Sequence, residues 1–275
     1  MDKNQNLFDI SGKCIVITGG GGILCSEMAK ALATNGAKVA VWDINQKAAE
    51  KVVEKIKADN GIAIAIKCDA LDKNDIQAAN QKTISEFGPV DILINGAGGN
   101  KKEATTSEDL SFFDLPDDAV RFVFDVNLMS AFFTSQVVAK DMAERGHGVI
   151  LNISSMNAIR PLTNIVAYSA AKAALSNFTQ WLAVHMAMNY SKDIRVNAVA
   201  PGFFLTEQNR FLLTDEKTSK MTERGKKIID HTPMSKFGQP DELVGTVLWL
   251  ISDAAKFVTG TVIPVDGGFS AYSGV

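Results

Sequence analysis

Short, mainly apolar runs separated by segments of helical periodicity constrain the fold of this chain more than any other feature. The runs occupy residues 14–18, 39–42, 62–66, 90–94, 148–153, 194–199 and 262–265. Helical segments between them cover about 22–35, 48–57, 75–87, 118–144, 166–189 and 241–252. Strands that are apolar along their whole length are buried on both faces, as in a parallel sheet. The alternation predicts an α/β fold, a doubly wound parallel sheet flanked by helices on both faces.

Composition agrees with one soluble domain over residues 1–275. Of 275 residues 46% are hydrophobic, enough for one large core, and the net charge is −3. Because the chain is slightly acidic, we expect no binding to nucleic acid. It has neither a polybasic segment nor an uninterrupted apolar run of ~18 residues, so we expect no membrane partner. Cys14, Cys25 and Cys68 have no metal-like or disulfide-like spacing, which predicts free thiols and, with a polar N-terminus, a cytoplasmic location.

Two polar segments interrupt the alternation, at 99–118 and 203–233. Both follow sheet strands, where open α/β folds bind ligands, so we interpret them as substrate loops. Solvated surface loops are the alternative. The three histidines have no partners at metal-ligand spacing, and we expect no metal.

A glycine run follows the first strand, from Gly19 to Gly22. Such a turn, with a helix starting behind it, lets backbone amides approach a pyrophosphate. Asp43 ends the second strand, where a carboxylate can accept hydrogen bonds from ribose hydroxyls and would repel the 2′-phosphate of NADP. This pattern predicts NAD as the cofactor. Asp69 after the third strand and the run 95–98 after the fourth add to the predicted site.

Tyr168 and Lys172 are four residues apart on a predicted helix and therefore share a face. A cation near a phenol favours the phenolate and lowers its pKa from ~10, so we expect Lys172 to lower the pKa of Tyr168. Ser155, 13 residues earlier, can donate a hydrogen bond to a substrate carbonyl. The combination indicates proton transfer coupled to hydride transfer, although this tyrosine–lysine spacing also occurs on ordinary helix surfaces.

The ordered set of motifs resembles the short-chain dehydrogenase/reductase family over nearly the whole chain. The matching motifs are Thr18-Gly19-Gly20, Asn95-Gly96-Ala97-Gly98, Asn127, Ser155, Tyr168 with Lys172, Pro201-Gly202 and Asp266-Gly267-Gly268. The resemblance implies a single-domain Rossmann-like fold in which Tyr168 is the general acid/base, Lys172 its electrostatic partner, Ser155 the carbonyl donor and Asn127 the holder of a water. One departure is that Ile23 and Cys25 replace the last two glycines of the family's glycine motif.

The resemblance also implies a set of cofactor contacts and an assembly. The implied contacts are Gly19, Gly22, Ile23, Leu24, Asp43, Asp69, Ala70, Asn95, Ala97, Gly98, Tyr168, Lys172, Pro201, Gly202, Phe204 and Thr206. The implied assembly is a homotetramer, and the small residues Ala170, Ala171, Ala173 and Ala174 offer a helix face for it.

Several segments, among them 154–158, 177–183 and 201–206, resemble family members that act on sugar acids. This implies a small-molecule sugar acid as substrate, with interconversion of D-fructuronate and D-mannonate. A gluconate 5-dehydrogenase-like or 3-oxoacyl reductase-like enzyme and a catalytically silent dinucleotide-binding regulator stay open as alternatives. We favour Arg210 as the residue that binds the substrate carboxylate, and Arg160 as the second candidate. Asn157 and Asn209 are predicted as further substrate contacts. The alternative interpretation, that both arginines are solvated surface residues, is equally good.

Overall fold

Seven parallel strands form one sheet in the computed structural model, which describes residues 6–205, 213 and 221–274. The strands are β1 Cys14–Thr18, β2 Lys38–Asp43, β3 Ile62–Lys67, β4 Ile92–Asn95, β5 Gly148–Ile153, β6 Ile194–Pro201 and β7 Val262–Val265. Their order across the sheet is β3-β2-β1-β4-β5-β6-β7. The sheet grows from β1 in one direction and then resumes on the other side of β1 with β4. This confirms the predicted doubly wound sheet and places its switch point between β1 and β4.

Helices connect the strands on both faces. Within the described ranges they are α1 Ile23–Thr34, α2 Gln46–Ala58, α3 Lys73–Phe87, α4 Asp117–Phe124, α5 Ser130–Arg145, α6 Val166–Asn189, α7 Glu223–Asp230 and α8 Val244–Ile251. Polar caps set several of the starting points. The Asn45 side chain accepts a hydrogen bond from the Ala48 amide at the start of α2, and the Asp72 side chain accepts from two amides at the start of α3.

Two apolar layers enclose the sheet, and β1 shows how they arise. Ile15 and Ile17 point into the layer formed with α1, α2 and α8. Cys14 and Val16 point into the layer formed with α3, α5 and α6. Because successive side chains of a strand face opposite sides, a strand covered on both sides is apolar at every position. This is the pattern from which the fold was predicted.

The helix expected over 118–144 is present but not continuous. A single π turn, Asp125–Met129, separates α4 from α5. The combined stretch Asp117–Arg145 is long and apolar enough, by length and composition alone, to cross a membrane, although it contains no uninterrupted apolar run of that length. In this fold α5 packs against α3, β4 and β5. It therefore belongs to the helical layer over the sheet.

The three cysteines are free and buried, as predicted. Burial raises the pKa of each thiol, Cys14, Cys25 and Cys68, to about 12. The thiols are therefore protonated and weakly nucleophilic at neutral pH.

Candidate active site

The turn between β1 and α1 lies against the loop that follows β4. The Thr18 hydroxyl accepts hydrogen bonds from the Gly96 and Ala97 amides at 3.1 and 3.2 Å. Gly19 has φ of 61°, and a Cβ there would lie 2.8 Å from the Ala97 Cα. The two loops thus touch backbone to backbone, which requires glycine at position 19.

The altered glycine motif is compensated on the opposite side of this contact. Cys25 replaces a glycine of the family pattern, and its Sγ lies 3.8 Å from the Gly96 carbonyl oxygen. A Cβ at Gly96 would collide with that sulfur. The glycine on the β4 loop therefore makes room for the thiol on α1, and close packing of helix and loop is retained.

The first turn of α1 has amide donors that no side chain caps. Gly22 is its N-cap and supplies no side-chain hydrogen bond, whereas Asn45, Asp72 and Thr222 cap α2, α3 and α7. First-turn amides have no partner within a helix, so α1 has donors available to an anion. The diphosphate of a dinucleotide fits this turn.

Asp43 lies beside the same turn, at the end of β2. One carboxylate oxygen accepts a hydrogen bond from the Gly21 amide at 2.9 Å, and the other accepts from the Asn45 amide at 2.8 Å. An ionised carboxylate can accept about four hydrogen bonds, so acceptor capacity remains for two sugar hydroxyls.

A cleft of about 790 Å³ follows the carboxyl edge of the sheet from Asp43 to Lys172. This volume lies in the usual range for cofactor sites. The predicted residues that line it are Gly19, Gly22, Ile23, Leu24, Asp43, Asp69, Ala70, Ala97, Gly98, Ser155, Tyr168, Lys172, Pro201 and Gly202. Sequence reasoning missed the apolar lining residues Ile44, Leu71, Phe122 and Val126, because an apolar residue after a strand or on a helix carries no signal that separates pocket from core.

Two of the predicted cofactor contacts, Asn95 and Phe204, lie outside the cleft. The buried Asn95 side chain donates hydrogen bonds to Ser135 Oγ at 3.0 Å and Asn152 Oδ1 at 2.8 Å, and so ties β4 to α5 and β5. Phe204 is buried and pairs with Gly238 through an isolated bridge. Neither residue lines the cleft. Thr206 is outside the described residues.

Asn127 is fully buried within the π turn. Its Nδ2 donates to the carbonyl oxygens of Gly99 and Val123 at 2.6 and 2.7 Å, and its Oδ1 accepts from the Gly99 amide at 3.1 Å. Both amide hydrogens are therefore engaged with backbone. The side chain fixes the loop after β4, and its role in holding a water stays a prediction.

Lys172 reaches the cleft from α6 as a buried cation, 4% exposed. Its Nζ donates a hydrogen bond to the Ile153 carbonyl oxygen at 2.7 Å and lies 5.7 Å from the centroid of the Tyr168 ring. A Cβ at Gly98 would come within 3.2 Å of this Nζ. Burial lowers the pKa of Lys172 to about 8.

The pKa of Tyr168 differs from the expectation that Lys172 would lower it. Burial of the phenol raises its pKa above the ordinary value, and a hydrogen bond with Ser155 lowers it by a smaller amount. The desolvated phenol therefore holds its proton at neutral pH in this structure. Such a group can donate a proton to a substrate oxygen that becomes negatively charged.

A second cavity of about 180 Å³ adjoins the cleft and shares Ser155 and Tyr168 with it. Asn157 lines this cavity, and its amide donates a hydrogen bond to Ser155 Oγ at 3.2 Å. Ser155 and Tyr168 thus form the wall that the cleft and this cavity share.

Of the predicted cationic substrate contacts, Arg160 does not line this cavity. Arg160 is exposed, and its Nε donates a hydrogen bond to the Ser270 carbonyl oxygen at 3.0 Å. Asn209 and Arg210 are outside the described residues. Arg224 lines the cavity instead. Sequence reasoning missed it within the 203–233 segment, since nothing local distinguishes it from a surface arginine.

Comparison with known proteins agrees with this geometry. The family profile described as enoyl-(acyl carrier protein) reductase matches residues 22–270. The uncharacterized oxidoreductase UxuB of Bacillus subtilis is 46% identical over 276 residues, which cover 97% of this chain and 98% of that protein. The 7α-hydroxysteroid dehydrogenase of Escherichia coli is 37% identical, over 96% of this chain and 97% of that protein.

A solved structure from Haemophilus influenzae, provisionally named a D-mannonate oxidoreductase and containing bound NAD, superposes with a TM-score of 0.91. It is 47% identical to this chain, with 97% of this chain and 98% of that chain covered. Sequence, fold and the placement of Ser155, Tyr168 and Lys172 lead to one assignment: the chain belongs to the short-chain dehydrogenase/reductase family of oxidoreductases.

Proposed function

We propose that this protein is an NAD-dependent reductase that interconverts a keto sugar acid and its alcohol, with D-fructuronate and D-mannonate as the pair. The observation that carries the proposal is that Ser155 and Tyr168 line both a cofactor-sized cleft and a small adjoining cavity. The name and bound NAD of the Haemophilus influenzae relative support the same reaction. Three buried free thiols support a reducing compartment, such as the cytoplasm.

The cleft has residues that can bind the adenosine half of NAD at one end and the nicotinamide half at the other. The first-turn amides of α1 bind the diphosphate, and Asp43 binds the adenosine ribose hydroxyls. The exposed apolar side chain of Ile44, 63% accessible, offers a surface for the adenine ring. At the other end, Lys172 is placed for the nicotinamide ribose. When bound, NAD supplies or accepts the hydride.

The protein's own residues manage the proton and the developing charge. In the reducing direction, Ser155 donates a hydrogen bond to the substrate carbonyl oxygen, and Tyr168 donates the proton that this oxygen acquires. The buried ammonium of Lys172 stabilises the phenolate that remains. In the oxidising direction, the phenolate takes the proton back from the alcohol.

The size of the second cavity favours a small substrate. Its volume of about 180 Å³ is below the ~300 Å³ at which pockets for drug-sized ligands begin, so a steroid would need a wider site. A keto acid of the gluconate type fits as well as a hexuronate. A silent regulator is disfavoured because Ser155 and Tyr168 line both cavities and Lys172 lines the larger one beside them.

A panel of carbonyl substrates tests the activity. We expect NADH oxidation with D-fructuronate at a higher kcat/KM than with 5-keto-D-gluconate, because the relative named for D-mannonate is 47% identical to this chain and the one named for 5-keto-D-gluconate is 33% identical. A 3-oxoacyl thioester and a 7-oxo steroid should react more slowly still, because both are larger than the cavity. NADH absorbance measures each rate. A higher kcat/KM for any of the other three would replace the proposed substrate, and no turnover with all four would contradict the reductase function.

Asp43 predicts the choice of cofactor. A carboxylate that faces the 2′-phosphate of NADP is repulsive, so we expect kcat/KM to favour NADH over NADPH at least tenfold, or about 1.4 kcal/mol. Asp43→Asn keeps one oxygen acceptor and should reduce this preference. Asp69→Asn, a second carboxylate in the cleft, serves as the matched control and should leave it unchanged. Equal values for the two cofactors in the wild-type protein would rule out this role for Asp43.

We expect Tyr168 to be the residue that donates the proton to the substrate. Tyr168→Phe removes only the phenolic hydroxyl, and we expect kcat to fall ~100- to 10,000-fold while NADH affinity stays within about twofold. Steady-state kinetics and NADH fluorescence titration measure the two quantities. Tyr190→Phe, which removes an exposed phenol, is the control. A Tyr168→Phe variant that keeps more than about a tenth of the wild-type kcat is incompatible with the assignment.

We also propose that the chain assembles as a homotetramer through α5 and α6. A groove of about 560 Å³ between these helices is lined by Phe132, Phe178, Trp181 and Tyr190, and Trp181 is 55% exposed. Of the predicted small-residue face, Ala170 and Ala173 are exposed and Ala171 is buried. Exposed apolar surface of this kind is typical of subunit interfaces.

Light scattering tests the assembly. We expect four times 29.6 kDa, or about 118 kDa, at micromolar concentration. Trp181→Glu should lower the mass, because it introduces a charge into the apolar groove. Ile62→Glu, at an exposed apolar position on β3, is the control and should not. A wild-type monomer would contradict the proposal.

A further inference from the structure

The cavity next to Ser155 and Tyr168 is mostly apolar. Met156, Leu162, Ile165 and Phe203 supply much of its wall. Among the described residues that line it, Arg224 is the one that carries a charge. A lone cation in an apolar cavity next to catalytic groups favours an anionic ligand.

Arg224 occupies an electrostatically unfavourable position in α7. It is the second residue of the helix, and the N-terminal end of a helix dipole disfavours cations. Its neighbours compensate each other: Lys226 Nζ pairs with Glu223 Oε1 at 2.9 Å. Within the described part of the chain, Arg224 itself makes no hydrogen bond and no ion pair. Arg224 is an exposed residue, so solvent stabilises its charge, and its guanidinium is open to a ligand in the cavity that it lines.

Asn157 gives an independent indication of a polar ligand. Its side chain is 6% exposed and lines the same cavity. The backbone amide of Asn157 is bonded to Ser155 Oγ, but the side-chain amide has no hydrogen-bond partner among the described residues. Buried amides are normally hydrogen-bonded, so this one is available to a hydroxyl or carbonyl group of a ligand.

We propose that Arg224 is the residue that selects for a carboxylate, and that the cavity takes a small polyhydroxylated keto acid. Arg224 binds the carboxylate through its planar guanidinium, Asn157 binds a hydroxyl, and Ser155 with Tyr168 holds the carbonyl. Arg160 is excluded from this role by its place outside the cavity and its bond to Ser270. The inference rests on the proposed reductase function and adds the residue that recognises the substrate class.

Ligand binding separates this inference from the reductase activity. D-Gluconate is titrated calorimetrically into the complex of the full chain with NADH, in which an alcohol cannot react, and sorbitol serves as the uncharged ligand. We expect Arg224→Met to weaken D-gluconate binding on the order of 10- to 100-fold, the range for a lost charged hydrogen bond, and to leave sorbitol binding within about twofold. Arg224→Lys should give an intermediate loss, because it keeps the charge without the bidentate geometry.

Lys227→Met is the matched control, since it removes the same charge from another exposed position on the same helix, one that does not line the cavity. It should bind both ligands as the wild type does, and NADH affinity should be unchanged in all variants. Equal losses in Arg224→Met and Lys227→Met, equal losses for D-gluconate and sorbitol, or no D-gluconate binding to the wild type would overturn the assignment.

The two proposals can fail separately. If the wild type reduces keto sugar acids but Arg224→Met binds D-gluconate normally, the reductase function stands and the role of Arg224 is wrong. If Arg224 controls D-gluconate binding but no keto sugar acid is reduced, the anion site stands and the proposed reaction is wrong.

Discussion

The backbone contact between the loops after β1 and β4 holds the cleft in shape. At this point the sheet reverses its direction of growth, so the two chains separate, one into α1 and the other into the 99–118 segment. The Thr18 hydroxyl bridges the gap by accepting from two amides of the opposite loop, and Gly19 packs on Ala97. Both walls of the cofactor cleft begin at this contact. A side chain at position 19 would therefore separate the walls and not only strain the turn.

Burial of the Lys172 ammonium makes an unfavourable electrostatic contribution to the folding free energy. Lys172 is almost completely buried, and its ammonium donates to one backbone carbonyl, that of Ile153. Among the described residues no carboxylate pairs with Lys172, and desolvating such a cation destabilises a folded protein, in keeping with the lowered Lys172 pKa of about 8. The two apolar layers over the sheet offset this cost because they bury strands on both faces. The apolar layers that stabilise the protein and the buried charge that destabilises it thus lie in different parts of the fold.

Much of the frame could be predicted from sequence, because burial on both faces demands apolar residues at consecutive positions and periodicity records this directly. Once the strands and helices were predicted, Asp43 could be placed at the end of a strand. Tyr168 and Lys172 could be placed one helical turn apart on the same face. The raised pKa of Tyr168 could not be predicted, since burial of the phenol depends on how neighbouring segments cover it. Arg224 could not be predicted either, because its position depends on the path of the chain between β6 and α7.

The π turn between α4 and α5 fixes the angle about the helix axis at which the side chains of α5 follow those of α4. Upstream of it, Val123 packs with Ala104 of the loop after β4, and within it Asn127 is hydrogen-bonded to Gly99 of the same loop. Downstream, Ser135 accepts a hydrogen bond from Asn95. Each residue of an α-helix advances the chain by about 100°. Deleting one residue from the π turn would yield a regular helix, but α5 would rotate by about that angle relative to α4. The helix could then satisfy its bond to the loop or its bond to Asn95, but not both, so the extra residue lets one helix serve the active-site loop and the sheet together.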